Sequence, residues 1–207
     1  QNNLDLLFID GTTAATKVVL NEKDKSYIDF IDKDNLTFLA DNSFIWTSEL
    51  DGFNHIYWYD KTGKLKSQVT KGRWEVTEYY GFDEKNKTVY YQSTENGSIN
   101  RDVYKISLDG KNKTRLTQNL GTNSATFSQN FQYFVSSFSS ASQPTTYTLN
   151  DSKSGKQVQV IENNEALASK LKGYDLSQKE FFVLKTEKGN ELNAWILKPK
   201  NFDSTNK

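Results

Sequence analysis

The chain has 207 residues, with 26 basic and 26 acidic side chains and a formal net charge of zero, so no overall field draws it to nucleic acid or to an anionic membrane. It contains no cysteine and one histidine, His55. Disulfides and thiolate metal sites are therefore excluded, and a catalytic triad or a zinc site would have to rest on that single ring. Hydrophobic residues make up only 35% while aromatics reach 14%, a balance that suits many short strands with one wet face better than a helical bundle.

Two prolines, Pro144 and Pro199, are too few for a Pro-rich linker, and no apolar run approaches the length of a membrane span. The chain opens on Gln1 and contains no methionine, which leads us to expect a segment of a longer protein. In chain order, residues 4–10 read as a strand, 11–15 as a turn and 16–20 as a second strand. This pair fits the back half of a unit whose full form comes next.

That unit starts at an aromatic anchor, Phe38. It continues through an apolar strand at 43–48 and a tyrosine-alternating strand at 55–59. A turn at 60–64 and a shorter polar strand at 65–70 complete it. The same order recurs with anchor Phe82, strands at 88–93 and 102–106, a turn at 109–111 and a strand at 114–117. It recurs again with Phe127, strands at 132–137 and 146–149, a turn at 151–156 and a strand at 157–161. Asp and Gly in each turn supply the side-chain cap and the positive φ that tight hairpins need.

A four-strand order repeating about every 45 residues is the mark of a β-propeller blade. A β-sandwich also has short strands and regular turns, but it does not repeat one strand order three times. The expected fold is all-β: about three and a half four-stranded antiparallel blades, near 1–20, 36–70, 80–117 and 126–161, forming a partial propeller over 1–162. After Glu162 the pattern stops. Asn163 and Asn164 can cap a helix at 165–171, with Gly173 at its C′ position. Strands at 180–186 and 191–198 follow, and Pro199 ends the second. Residues 163–207 are expected to be a linker helix and the start of another domain.

Three phrases carry a resemblance to a known family. Trp46-Thr47-Ser48-Glu49 with Asp51-Gly52-Phe53-Asn54-His55-Ile56-Tyr57 is similar to a phrase of dipeptidyl peptidase IV propellers. Thr70-Lys71-Gly72-Arg73-Trp74-Glu75-Val76 resembles the phrase that comes next in those enzymes. Residues 192–203, with Trp195 and Pro199, resemble the strand leading into their α/β-hydrolase domain. The resemblance implies a serine exopeptidase that releases N-terminal dipeptides with Pro or Ala second, and a chain covering the later part of its propeller. It also implies a peptide substrate, contacts with the remaining propeller and the hydrolase domain, no cofactor, export to the periplasm or beyond, and a Bacteroides-like bacterial source. The family's Gly-x-Ser-x-Gly elbow and Glu-Glu pair are absent from this sequence, so no catalytic residue can be carried over.

Individual residues read mostly as structural. His55, at a strand start, reads as a hydrogen-bonded structural histidine rather than a base or ligand. Trp74 reads as a plug between sheets, with Glu75 satisfying backbone or an arginine; a peptide contact is the alternative. Phe38 has two readings: core packing like Phe82 and Phe127, or, through the resemblance, an aromatic lining an outer substrate subsite. Asp41, Asp60, Asp83 and Asp109 sit in separate turns without the spacing of a calcium loop and read as turn residues, leaving no metal site. The sequons at Asn35, Asn86, Asn96, Asn112 and Asn150 are expected in exposed loops, without N-glycans given the implied bacterial source.

Two functions compete at this point. One is a non-catalytic propeller part that walls and gates the substrate chamber of such a peptidase. The other is a stand-alone propeller serving as an interaction or ligand-binding platform. Cut from its neighbours, a run of blades also exposes apolar faces, so self-association into a homo-oligomer is expected.

Overall fold

The computed structural model describes residues 2–28, 36–174, 176–203 and 205. Among them lie five antiparallel sheets. The first is a hairpin of β1 (Asn3–Ile9) and β2 (Thr16–Lys23). The second has strands in the order β3 (Thr37–Phe38), β4 (Phe44–Ser48), β5 (His55–Tyr59), β6 (Leu65–Gln68). The third runs β7 (Val76–Asp83), β8 (Thr88–Ser93), β9 (Asp102–Ser107), β10 (Thr114–Arg115). The fourth runs β11 (Thr122–Phe127), β12 (Tyr133–Ser140), β13 (Gln143–Asp151), β14 (Gln157–Glu162). Each four-stranded sheet is a meander in chain order, which is the expected blade: the chain is an all-β propeller segment with one short helix.

The chain groups into two compact units. The first, Gln1–Ser98 with Asp102–Leu116, holds the β1–β2 hairpin and two blades. Its strands explain themselves through side-chain alternation. Phe44, Tyr57 and Tyr59 point to one face of the β3–β6 blade and pack with Leu6, Phe8 and Leu20 of the hairpin. Ile45 and Ile56, one residue out of phase, point to the other face and pack with Val76, Val89, Tyr91 and Ile106 of the next blade. A strand buried on both faces needs an uninterrupted apolar run, and Phe44-Ile45-Trp46 supplies one.

The turns do as the sequence predicts. Asp60 Oδ1 accepts from the Thr62 and Lys64 amides and from the Thr62 hydroxyl, and these bonds hold its carboxyl below the usual aspartate range, the hydroxyl contributing most. Gly63, at φ +88°, is required twice: a Cβ there would stand 1.7 Å from the Val19 carbonyl oxygen of the hairpin.

The second unit, Ile99–Arg101 with Thr117–Lys207, holds the β11–β14 blade, helix α1 (Glu165–Lys172) and a hairpin of β15 (Lys179–Lys185) and β16 (Glu191–Leu197). The helix caps differ from expectation. Asn164 has φ 52° and makes no side-chain cap; instead Asn163 Oδ1 accepts from the Glu165 amide, and Asn164 Nδ2 donates to the Thr145 carbonyl of β13. Gly173 is right-handed at φ −77°, so it is not the left-handed C′ residue that its type suggested. All of β14 and β15 is exposed, and β16 nearly so, leaving Phe181, Val183, Trp195 and Leu197 uncovered.

Candidate functional site

The first two family phrases meet in one joint within the first unit. His55 is fully buried at the start of β5. Its Nε2 lies 3.0 Å from the Gly72 carbonyl oxygen, which can only accept, so Nε2 carries a proton. Its Nδ1 lies 3.1 Å from Thr70 Oγ1, which already accepts from the Ile56 amide and has its own proton left to donate. The Trp74 ring meets the imidazole edge-on at 4.7 Å and stacks at 9° on Tyr91 of the next blade. Asn54 closes the joint: its Nδ2 donates to the Val76 carbonyl and its own carbonyl accepts from the Val76 amide. Gly72, at φ +145°, lies so close to the indole that a Cβ would stand 2.2 Å from Trp74 Nε1.

His55 and Trp74 are therefore packing residues, as the sequence predicted. Glu75 departs from its expected role. Its backbone pairs with the Thr94 amide and hydroxyl, while its side chain is exposed and lines a cavity.

That cavity, about 720 Å³, lies wholly in the first unit. Apolar walls come from Leu4 and Leu6 of β1, Trp46 of β4, Leu50 and Tyr79. Among the described residues, six acids share the lining, Asp5, Glu22, Asp24, Glu49, Glu75 and Glu78, against one base, Lys23. Glu22 is the most enclosed of them at 6% exposure, its Oε1 accepting from the Trp46 indole N–H at 2.8 Å. Its charge reaches Tyr59, whose hydroxyl is pushed up to about 12, first by burial and then by Glu22. In a chain of zero net charge, this is a local concentration of negative potential.

The remaining candidates fall outside the cavity. Phe38 packs on Phe8 and Phe44 at 5.6 and 6.2 Å but is 57% exposed, whereas Phe82 and Phe127 at the equivalent repeat positions are half-buried. Asp41, Asp60, Asp83 and Asp109 each bond groups of their own turns. The sequon at Asn35 lies outside the described residues. Asn86 and Asn112 are exposed as expected, but Asn96 is half-buried and Asn150 is buried, its amide bonded to Thr148 within β13. Asn150 is thus a strand residue and not a loop residue, because β13 runs on past the expected strand end at 149 to Asp151.

Comparison with known proteins decides the family. The sequence profile described as "Dipeptidyl peptidase IV (DPP IV) N-terminal region" matches residues 1–145. The chain belongs to that family. It is 35% identical over 164 residues to the dipeptidyl peptidase 4 of Arthroderma otae, covering 77% of this chain and 21% of that protein. The dipeptidyl peptidase 4 of Trichophyton rubrum matches with the same identity and coverage. The crystal structure of Porphyromonas gingivalis dipeptidyl peptidase 4 matches with a TM-score of 0.91 at 41% identity, over 98% of this chain and 29% of that one. The chain spans about a fifth of the length of the curated relatives it matches.

Within this dipeptidyl peptidase IV propeller segment, sequence reasoning missed the cavity and its most buried acid. Glu22 lies beyond the expected strand at 16–20, because β2 runs on to Lys23. The one available signal was indirect: a Trp in a buried strand needs a partner for its indole N–H, and Trp46 finds it in Glu22.

Proposed function

We propose that this chain is a non-catalytic propeller part of a dipeptidyl peptidase IV-like serine exopeptidase, one that releases N-terminal X-Pro and X-Ala dipeptides, and that it walls and gates the peptide's approach. The observation that carries this reading is the match of the family's N-terminal region to residues 1–145, joined to the 0.91 TM-score with the P. gingivalis dipeptidyl peptidase 4. The exposed apolar strands β14–β16 support a partner that covers them, either the rest of the parent enzyme or, for the chain alone, a second copy. Phe38 is proposed as an aromatic contact for the peptide, on the strength of its exposure where its repeat equivalents are half-buried. Export of the parent enzyme belongs to the same proposal.

The test is hydrolysis of Gly-Pro and Ala-Pro chromogenic substrates. The parent protein containing this segment turns them over, and the 207-residue chain does not. Clear turnover by the chain alone, or none by the parent, overturns the proposal.

A further inference from the structure

The structure assigns a self-modification site to Asn96, in the loop from β8 to β9: the Gly97 backbone nitrogen closes on the Asn96 side chain, and the fold holds that reaction in check. Asn96-Gly97 is the one Asn-Gly step in the chain. Glycine matters because it puts no Cβ beside the attacking nitrogen and turns freely into the geometry of attack. The Gly97 nitrogen bonds to the Asn96 side-chain carbonyl carbon, and the bond from that carbon to Nδ2 breaks. The side-chain nitrogen leaves as ammonia, carrying the proton that Gly97 gives up. Water then opens the cyclic imide at either carbonyl, leaving aspartate or isoaspartate. Water is the only co-reactant.

The fold opposes the closure. The Gly97 amide donates to the Thr94 carbonyl at 3.0 Å, so the attacking nitrogen is engaged. Asn96 is half-buried, and its Nδ2, the leaving group, is enclosed. Thr94 fixes the start of the loop: its amide donates to the Glu75 carbonyl and its hydroxyl accepts from the Glu75 amide, each at 3.0 Å. These bonds continue the β7–β8 pairing past Val76 and Ser93. Glu95, the next residue, pairs with Lys113. Closure therefore waits for residues 94–98 to open. Gly97 and Ser98 are exposed, so that opening leaves the strands in place and costs less than unfolding the blade. The conversion is also one-way. A carboxylate at position 96 stands beside Glu95, one oxygen of which is enclosed, and like charges shut away from water are costly. Isoaspartate adds a backbone carbon besides. A loop that has opened and converted does not regain its closed form. None of this depends on the peptidase reading.

Peptide mapping by mass spectrometry tests it. The 207-residue chain is aged at mildly alkaline pH, in buffer and in guanidinium chloride, and each asparagine is scored for deamidation and isoaspartate. In denaturant Asn96 converts ahead of every other asparagine; in buffer its rate is at least about tenfold lower. Lys113→Ala, at a partly exposed side chain, raises the rate in buffer about two- to fivefold and leaves the rate in denaturant unchanged. Asn96→Gln silences the signal in both. Asn96→Asp, the product itself, speeds amide hydrogen exchange at residues 94–98 while the far-UV spectrum is unchanged. Another asparagine converting first in denaturant overturns the site, and equal Asn96 rates in buffer and denaturant overturn the restraint by the fold. Unchanged exchange in Asn96→Asp overturns the one-way step. No such failure bears on the chromogenic assay.

Discussion

Gly72→Ala tests whether the joint between the second and third sheets is as tight as its geometry states. Gly72 is exposed, and an ordinary exposed substitution changes stability by no more than about 0.5 kcal/mol. Here two costs add. An alanine at φ +145° takes on backbone strain of about 1–2 kcal/mol. Its Cβ, at 2.2 Å from Trp74 Nε1 and 2.6 Å from Cδ1, forces the indole off His55 and Tyr91; overpacking of that kind costs about 1–3 kcal/mol. The expected loss is therefore about 2–5 kcal/mol, large for an exposed position. Urea unfolding followed by far-UV circular dichroism measures it, with an unchanged m-value as the sign that both states keep their compactness. Trp74→Ala provides the control: with the indole gone, Gly72→Ala costs only its backbone part, and the two substitutions couple by at least about 1 kcal/mol. Equal cost of Gly72→Ala in both backgrounds refutes the clash; a cost under about 0.5 kcal/mol refutes the strain as well.

Two further outcomes follow from the same core. His55→Phe keeps a ring against Trp74 but deletes the bonds to Thr70 and Gly72, and should cost about 1–3 kcal/mol by urea midpoint; a cost near zero would mean that the ring acts by packing alone. Stability should also fall at alkaline pH. Burial, ahead of neighbouring negative charge, raises Tyr59 and Tyr104 to about 12 and Tyr57 and Tyr91 further, while unfolded tyrosines ionise near 10. Between those values the unfolded chain loses protons that the folded chain keeps, so the stabilisation is whole below about pH 10 and drains away towards pH 12, by up to ~1.4 kcal/mol per pH unit for each tyrosine. A urea midpoint that stays flat from pH 9 to about 11.5 contradicts this.

The strands were legible because their causes are local. Asp60 and Gly63 make a turn wherever the chain continues, and the alternation in residues 55–59 fixes which side chains share a face. The two-sided burial of β4 was visible too, as an apolar run where a half-wet strand would alternate. What failed to show was whatever depends on a neighbour distant in sequence. Phe38 carries the same repeat position as Phe82, yet it is the more exposed, its ring packing on Phe8 and Phe44 at the edge strand of its blade. Asn164 looked like a cap, but a carbonyl of β13, 19 residues away, takes its amide. The cavity gathers side chains from β1, β2, β4, β7 and the loops beside them, so no stretch of sequence carries its pattern.

The joint and the cavity are two sides of the same piece of chain. Asn54 and Val76 bond to each other to close the joint, and both also line the cavity, as does Glu75 between Trp74 and Val76. The second family phrase fixes the path by which the chain crosses from one blade to the next. Gly72 lets that path pass under the indole, and His55 ties the Gly72 carbonyl to the start of β5. With those two constraints met, Glu75, Thr77 and Glu78 emerge along β7 and its approach at positions that line the cavity, across from Glu22 on β2 and Asp5 on β1. A motif that reads as structural therefore also sets one wall of the acid-lined cavity in this blade pair.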